Sequence, residues 1–146
     1  MTLVADILNT KANNAIYSIS PDDTVFNALQ LMADKGIGAL LVMEGKQIVG
    51  IITERDYARK IALKGRTSVL TAVRDVMTSA VMFVKPSQTS EECMALMTDH
   101  RLRHLPVVEG ERLLGLVSIG DLVKAIISEQ QFVIEQLAHY ISGQHG

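Results

Sequence analysis

Two short stretches hold residue types whose spacing could do chemistry. "GIITERD" runs from Gly50 to Asp56, and "GLVSIGD" runs from Gly115 to Asp121. Each places a hydroxyl residue, Thr53 or Ser118, three positions ahead of an aspartate, Asp56 or Asp121. If the hydroxyl closes a strand and the aspartate opens a helix, unpaired first-turn amides and the positive end of the helix dipole suit a phosphate, to which the hydroxyl can also donate. The ionised aspartate can accept from two vicinal hydroxyls, which is what a ribose presents. The same spacing has a purely structural account. Hydroxyl and carboxylate three apart form a capping box, and Gly50 and Gly115 can serve only to permit a bulge or a close backbone approach.

The motif recurs because the unit around it recurs. Ile19 to Ile61 lies over Val84 to Ile126 without a gap, so that Pro21 falls on Pro86, Thr24 on Thr89, Leu40 on Leu105, Gly50 on Gly115 and Asp56 on Asp121. Each unit reads as helix, strand, strand, helix. Thr24 and Thr89 have the position of N-caps, and Thr89 with Glu92 has the spacing of a capping box. Val25, Ala28, Leu29 and Met32 form one apolar stripe, as do Cys93, Met94 and Met97, and Gly36 is placed to end the first helix. "ALLVM" and "QIVGIIT" flank a turn at Glu44-Gly45-Lys46, and "LPVVE" and "RLLGLVS" repeat this hairpin around Gly110. The strands are almost continuously apolar, so both faces should be covered. A closing helix should begin near Glu54, stopping at Gly65, and another near Gly120. "SEQQFVIEQLAHYISG" lies outside the repeat and should continue the final helix or add one more.

The two copies differ just ahead of the first hairpin strand. Gly36, Gly38 and Ala39 stand where the second copy has Arg101, Arg103 and His104. Small residues leave room for a flat ring, whereas arginine can clamp a phosphate bidentately or simply face water. Arg55, Arg59, Lys60, Lys64 and Arg66 form the one dense basic stretch, which is either a solvated helix face or a phosphate-facing edge.

The 146 residues are 48% hydrophobic with a net charge of −2, enough for a substantial core and without bulk attraction to nucleic acid or anionic membranes. No run suits a membrane span, and "MTLVADILNT" lacks the basic start and apolar stretch of a signal peptide, so a cytoplasmic location is expected. The single cysteine, Cys93, falls in the apolar pattern and reads as core. No metal site is expected: His100 and His104 are four apart, but the helix should end between them, and His139 and His145 have no carboxylate pattern around them.

Taken together, these residues resemble a stand-alone tandem pair of cystathionine-β-synthase (CBS) domains, a Bateman module. The resemblance runs from "VADIL" and its counterpart "VRDVM", through "SPDDTVFNALQLM", to "GLVSIGDLVKAI". It implies an α+β fold of two repeats related by a pseudo-twofold axis, each a small sheet packed against two helices. A third strand would lie near "IYSI" and "MFVK". The corresponding division is 1–66, 67–128 and a helical extension 129–146. The resemblance also implies clefts between the repeats that take adenosine-containing ligands such as AMP, ADP, ATP, NAD or S-adenosylmethionine. Asp56 and Asp121 would then hold ribose, and Thr53 and Ser118 would face phosphate. Ile37, Gly38 and Ala39 would line the adenine or the cleft floor, Arg103 and His104 would reach phosphate, Arg55 would be a further ligand-binding residue, and Ala15, Ile16, Tyr17, Ser79, Ala80 and Val81 would frame the base. Leu41 in place of the proline that stands at Pro106, and Glu54-Arg55 in place of Ile119-Gly120, suggest unequal sites.

Three functions compete on this reading. The first is a nucleotide-sensing module that regulates an unidentified partner protein, without nucleic acid or membrane insertion. The second is a nucleotide-processing enzyme, for which the chain offers little nucleophile, base or metal chemistry. The third is an interaction protein whose Thr/Ser-x-x-Asp sets are only caps. A homodimer is the expected assembly under the first and third.

Overall fold

The computed structural model describes residues 2–11 and 15–142. His145 lies outside them. Local chemistry starts the elements. The Thr24 hydroxyl accepts the Asn27 amide at the start of α2 (Val25–Lys35), and Gly36 ends that helix in the left-handed region at φ 65°. Thr89 forms the full capping box with Glu92 at the start of α4 (Ser90–His100). This helix ends on Arg101 at φ 55°, a left-handed conformation that an arginine adopts only at a cost on the order of 1 kcal/mol.

The hairpins follow the sequence pattern. β2 (Ala39–Glu44) pairs antiparallel with β3 (Gln47–Thr53), and β4 (His104–Glu109) pairs with β5 (Arg112–Ser118). The turns pass through Gly45 and Gly110, both at positive φ. Each hairpin carries a register shift at the matching place, after Val42 and after Val107. A short β1 (Ser18–Ile19) runs parallel to β2, completing a three-stranded sheet in the order β1-β2-β3. In the second copy the same position is reduced to a single parallel bridge from Val84 to Val107.

The closing helix of the first copy is α-helical only over α3 (Glu54–Asp56) and continues as a π-helical stretch, Tyr57–Ala62. Its counterpart α5 (Ile119–Ile141) is one uninterrupted helix of 23 residues, so the segment beyond the repeat extends the final helix.

The chain divides into two compact units, Ile16–Val81 and Met1–Ala15 with Met82–Gly146. These units are not the sequence repeats, because each repeat's leading segment joins the core of the other. Val4, Ile7 and Leu8 of α1 (Val4–Thr10) pack with Leu105, Val107, Val117 and Leu122. Their counterparts Val73 and Val76 pack with Val25, Leu40, Val42 and Ile52. The two glycines of the repeated motif make room for this exchange. A Cβ on Gly115 would lie 2.9 Å from Leu8 Cδ2, and one on Gly50 would lie 2.7 Å from Met77 Sδ and 2.9 Å from the Thr78 carbonyl oxygen. The Thr78 amide and carbonyl in turn bond Ile51, at 2.8 and 2.9 Å. Cys93 is fully buried, and burial, then the nearby Glu92 charge, push its thiol up to about 11, which keeps it protonated and unreactive at neutral pH.

Candidate functional site

Both hydroxyl–aspartate sets sit at a strand-to-helix junction. In the unit Ile16–Val81, the Asp56 carboxylate accepts the Thr53 amide at 3.0 Å and the Thr53 hydroxyl at 3.2 Å, while the Asp56 amide donates to Thr53 Oγ1 at 3.1 Å. Asp56 is buried, and its second oxygen lies 3.2 Å from Lys60 Nζ. In the other unit, Asp121 accepts the Ser118 amide at 2.8 Å and donates its own amide to Ser118 Oγ at 3.2 Å. The capping boxes are therefore formed in both copies.

The cation beside each carboxylate was not legible in the motif. Lys60 reaches Asp56 from one turn along its own helix and also donates to the Val76 carbonyl at 2.8 Å. Four residues beyond Asp121 stands Ala125, so no lysine can reach from there. Lys11, just past α1, takes its place, with Nζ 3.0 Å from Asp121 and 2.7 Å from the Leu116 carbonyl. Burial drives the Asp121 carboxyl upward, but the Ser118 amide and Lys11 outweigh it and hold the group below the ordinary carboxylate range.

The segments ahead of β2 and β4 meet these junctions through the backbone. The Glu54 amide donates to the Gly38 carbonyl at 3.1 Å, and the Ile119 amide donates to the Arg103 carbonyl at 2.9 Å. Register places Ala39 opposite Thr53 and His104 opposite Ser118. Ile37 and Gly38 line a pocket of about 320 Å³ with Glu54, of a size suited to a small planar group. Ala39 is buried, at 4% exposure, and is not among the residues lining that pocket. Burial lowers the His104 imidazole, Asp121 pulls it back up, and Lys11 and Arg103 add to the lowering. Arg103, just ahead of β4, and Arg55, within α3, are exposed.

The residues expected to frame a base lie in irregular segments, Ala15, Ile16 and Tyr17 just ahead of β1 and Ser79, Ala80 and Val81 well after β3. Tyr17 is half-buried, with Lys35 Nζ 5.3 Å from its ring centre, and Ile16 beside it is exposed. Ser79, Ala80 and Val81 follow the Thr78 bridge to β3, with the Val81 amide on the Ser79 carbonyl at 3.0 Å. Ala15 is exposed and belongs to the other unit. Lys11 also borders a pocket of about 660 Å³ along α1 and α5 that includes Asp121 and Lys124. Among the described residues no group of three His, Cys, Asp or Glu side chains could hold a metal, and no helix is long and apolar enough to cross a membrane.

Duplicated helix-strand-strand-helix units with exchanged leading segments, each with a capped aspartate at its second strand-to-helix junction, define a tandem repeat of one α+β fold. The CBS domain profile matches residues 4–63 and 73–128. The chain belongs to the CBS domain family, as a CBS pair. It is 40% identical over 97% of its length to the mitochondrial CBS domain-containing protein CBSX3 of Arabidopsis thaliana, covering 73% of that protein. A solved structure described as a signal-transduction protein with CBS domains, from Burkholderia ambifaria, is 56% identical, with a TM-score of 0.85 over 88% of this chain and 96% of that one. The fold is shared at 22% identity and a TM-score of 0.75 by the CBS domain pair of protein MJ0100, over 88% of this chain and 98% of that one; that pair was solved in complex with 5'-methylthioadenosine and S-adenosyl-L-methionine.

Proposed function

We propose that the chain is a regulatory sensor that binds an adenine nucleotide, of the AMP, ADP, ATP or NAD type or S-adenosylmethionine, and passes its occupancy to a partner protein. The observation that carries this reading is a pair of carboxylates at a helix start, Asp56 buried and Asp121 half-buried, each also facing a lysine. A carboxylate has about four acceptor positions, more than one capping box fills, and vicinal ribose hydroxyls can occupy the rest. Thr53 and Ser118, with the first-turn amides beside them, suit the phosphates. Ile37, Gly38 and the Tyr17 and Ser79–Val81 segments supply apolar and small surface for the base. Arg55 in one unit, and Arg103 and His104 in the other, are the groups that further phosphates would meet. The MJ0100 pair supports the adenosine class for this fold. No catalytic step is assigned, and a cytoplasmic location belongs to the same proposal, tested by fractionation because the Arabidopsis relative is mitochondrial by name.

The test is calorimetric titration of ligand-stripped protein with AMP, ADP, ATP, NAD and S-adenosylmethionine. Saturable binding to one or more is expected, with an unfolding temperature that rises with ligand concentration. Asp56→Ala/Asp121→Ala, shown folded by circular dichroism, should lose that binding. If the stripped protein binds none of the five, the two motifs act as helix caps alone and the chain is an interaction protein.

A further inference from the structure

The cation beside Asp121 lands on the same carboxylate oxygen that the helix cap uses. Asp121 Oδ2 accepts the Ser118 amide at 2.8 Å and lies 3.0 Å from Lys11 Nζ. A carboxylate oxygen has about two acceptor positions, so the cap and the lysine fill this one between them. At Asp56 the two are kept apart. Thr53 donates to Oδ2 through its amide and its hydroxyl, and Lys60 lies on Oδ1.

A vicinal diol held by both oxygens of a carboxylate needs one acceptor position on each. At Asp121 the position on Oδ2 can come only from the Ser118 amide or from Lys11. The amide is backbone at the N-cap of α5, whereas Lys11 is a long side chain that keeps a second partner, the Leu116 carbonyl at 2.7 Å. The lysine is the group that gives way. Lys11 and Asp121 border the cavity of about 660 Å³ along α1 and α5, and Asp6 lines it too, so a released ammonium has both space and a second carboxylate. The start of α1 is anchored without it, by the Val4 and Ala5 amides on the Gln88 and Pro86 carbonyls and by Val4, Ile7 and Leu8 in the core. Lys11 ties the other end of α1 to β5 and α5, and Ile16, where the other unit begins, follows shortly. We propose that Lys11 is a self-inhibiting latch on the Asp121 site: a ribose takes the carboxylate only as the ammonium leaves it, and that departure unpins the end of α1 just before the chain crosses into the other unit. The latch rests on the nucleotide reading of Asp121 and adds to it which aspartate transmits its occupancy and through which element.

Calorimetric titration of the wild-type chain and Lys11→Met with adenosine and the five ligands named above tests it, read at the site that Asp121→Ala removes. Each ligand that binds the wild-type chain there should bind Lys11→Met about tenfold more tightly, the factor that one charge-assisted hydrogen bond is worth. Adenosine should show this most plainly, because it has no phosphate for the ammonium to attract. Lys60→Met, in the other unit, should leave the same site within about twofold. Hydrogen exchange on the wild-type chain gives a second measurement that does not depend on how well the variant folds. Saturating ligand should speed exchange over residues 8–11 while slowing it around Ser118 and Asp121. Equal or weaker binding by folded Lys11→Met, binding from which Asp121→Ala removes no site, or exchange over 8–11 that ligand leaves unchanged or slows would each overturn the latch and leave the nucleotide reading standing. If none of the ligands binds either protein, the nucleotide reading itself fails, and the latch with it.

Discussion

Replacing Lys11 by methionine keeps the length of the side chain and removes one charge. In the folded chain that charge lies 3.0 Å from Asp121, with the two side chains 24% and 19% exposed. At an effective dielectric of about 20, such a contact is worth roughly 5 kcal/mol of attraction. Desolvating the ammonium and ordering a long side chain cancel much of this, the latter by about 2 kcal/mol. The Leu116 carbonyl also loses its donor, about 1 kcal/mol. The net expectation is a loss of about 2 kcal/mol, between the values of exposed and buried pairs, which lowers the unfolding temperature by roughly 4–8 °C. The pH dependence separates this account from a packing effect. Because the folded Asp121 carboxyl is depressed, its stabilisation is present above its unfolded value of about 3.9 and is lost as pH falls through the folded value. Without Lys11, burial pushes the carboxyl up against the Ser118 amide and hydroxyl alone, so it protonates at a higher pH than in the wild type. The penalty should be full at pH 7 and shrink towards pH 3, read by differential scanning calorimetry. A penalty below about 0.5 kcal/mol at pH 7, or one equal at both pH values, would refute the electrostatic role.

Two further outcomes follow from the same geometry. Gly50→Ala should destabilise by about 1–3 kcal/mol, because its Cβ would press on the Thr78 carbonyl, which is fixed in a two-way bridge to Ile51. Gly115→Ala should cost less, since the end of the flexible Leu8 side chain can turn aside; urea unfolding of both variants compares them, and equal penalties would show that the backbone bridge is not the constraint. His104 should titrate below its ordinary value by imidazole NMR, and its neutral burial should cost stability as pH falls from about 6.5 through the folded value. In Lys11→Met the same resonance should titrate at higher pH, because one of the cations that lower it is gone; an unchanged midpoint would place Lys11 too far away to act on it.

What was legible in the sequence is what a few consecutive residues decide. Thr89 and Glu92, Thr53 and Asp56, and Ser118 and Asp121 find one another within one turn, and the tight turns at Gly45 and Gly110 fix the hairpins without outside help. The exchange of leading segments left no local mark, because Leu8 meets Gly115 and Val76 joins Val25 across long stretches of chain. Nor does any residue announce the π-helical stretch at Tyr57–Ala62, and an arginine at position 101 conceals the left-handed turn that Gly36 advertises in the other copy. The lysines show most directly why repeat comparison falls short at the site. Both capped aspartates are paired with an ammonium that also bonds a backbone carbonyl, yet one lysine sits four residues along its own helix and the other arrives from the opposite end of the chain. Aligned position by position, Lys60 faces Ala125, and Lys11, seven residues past Val4, faces Ala80, seven past Val73. Each carboxylate thus has an ammonium within 3.2 Å, while the lysines that supply it are not equivalent. On the proposed nucleotide reading, a ligand beside Asp56 would compete with a lysine held by its own helix, whereas one beside Asp121 would compete with the lysine that ties the exchanged N-terminal segment to its unit.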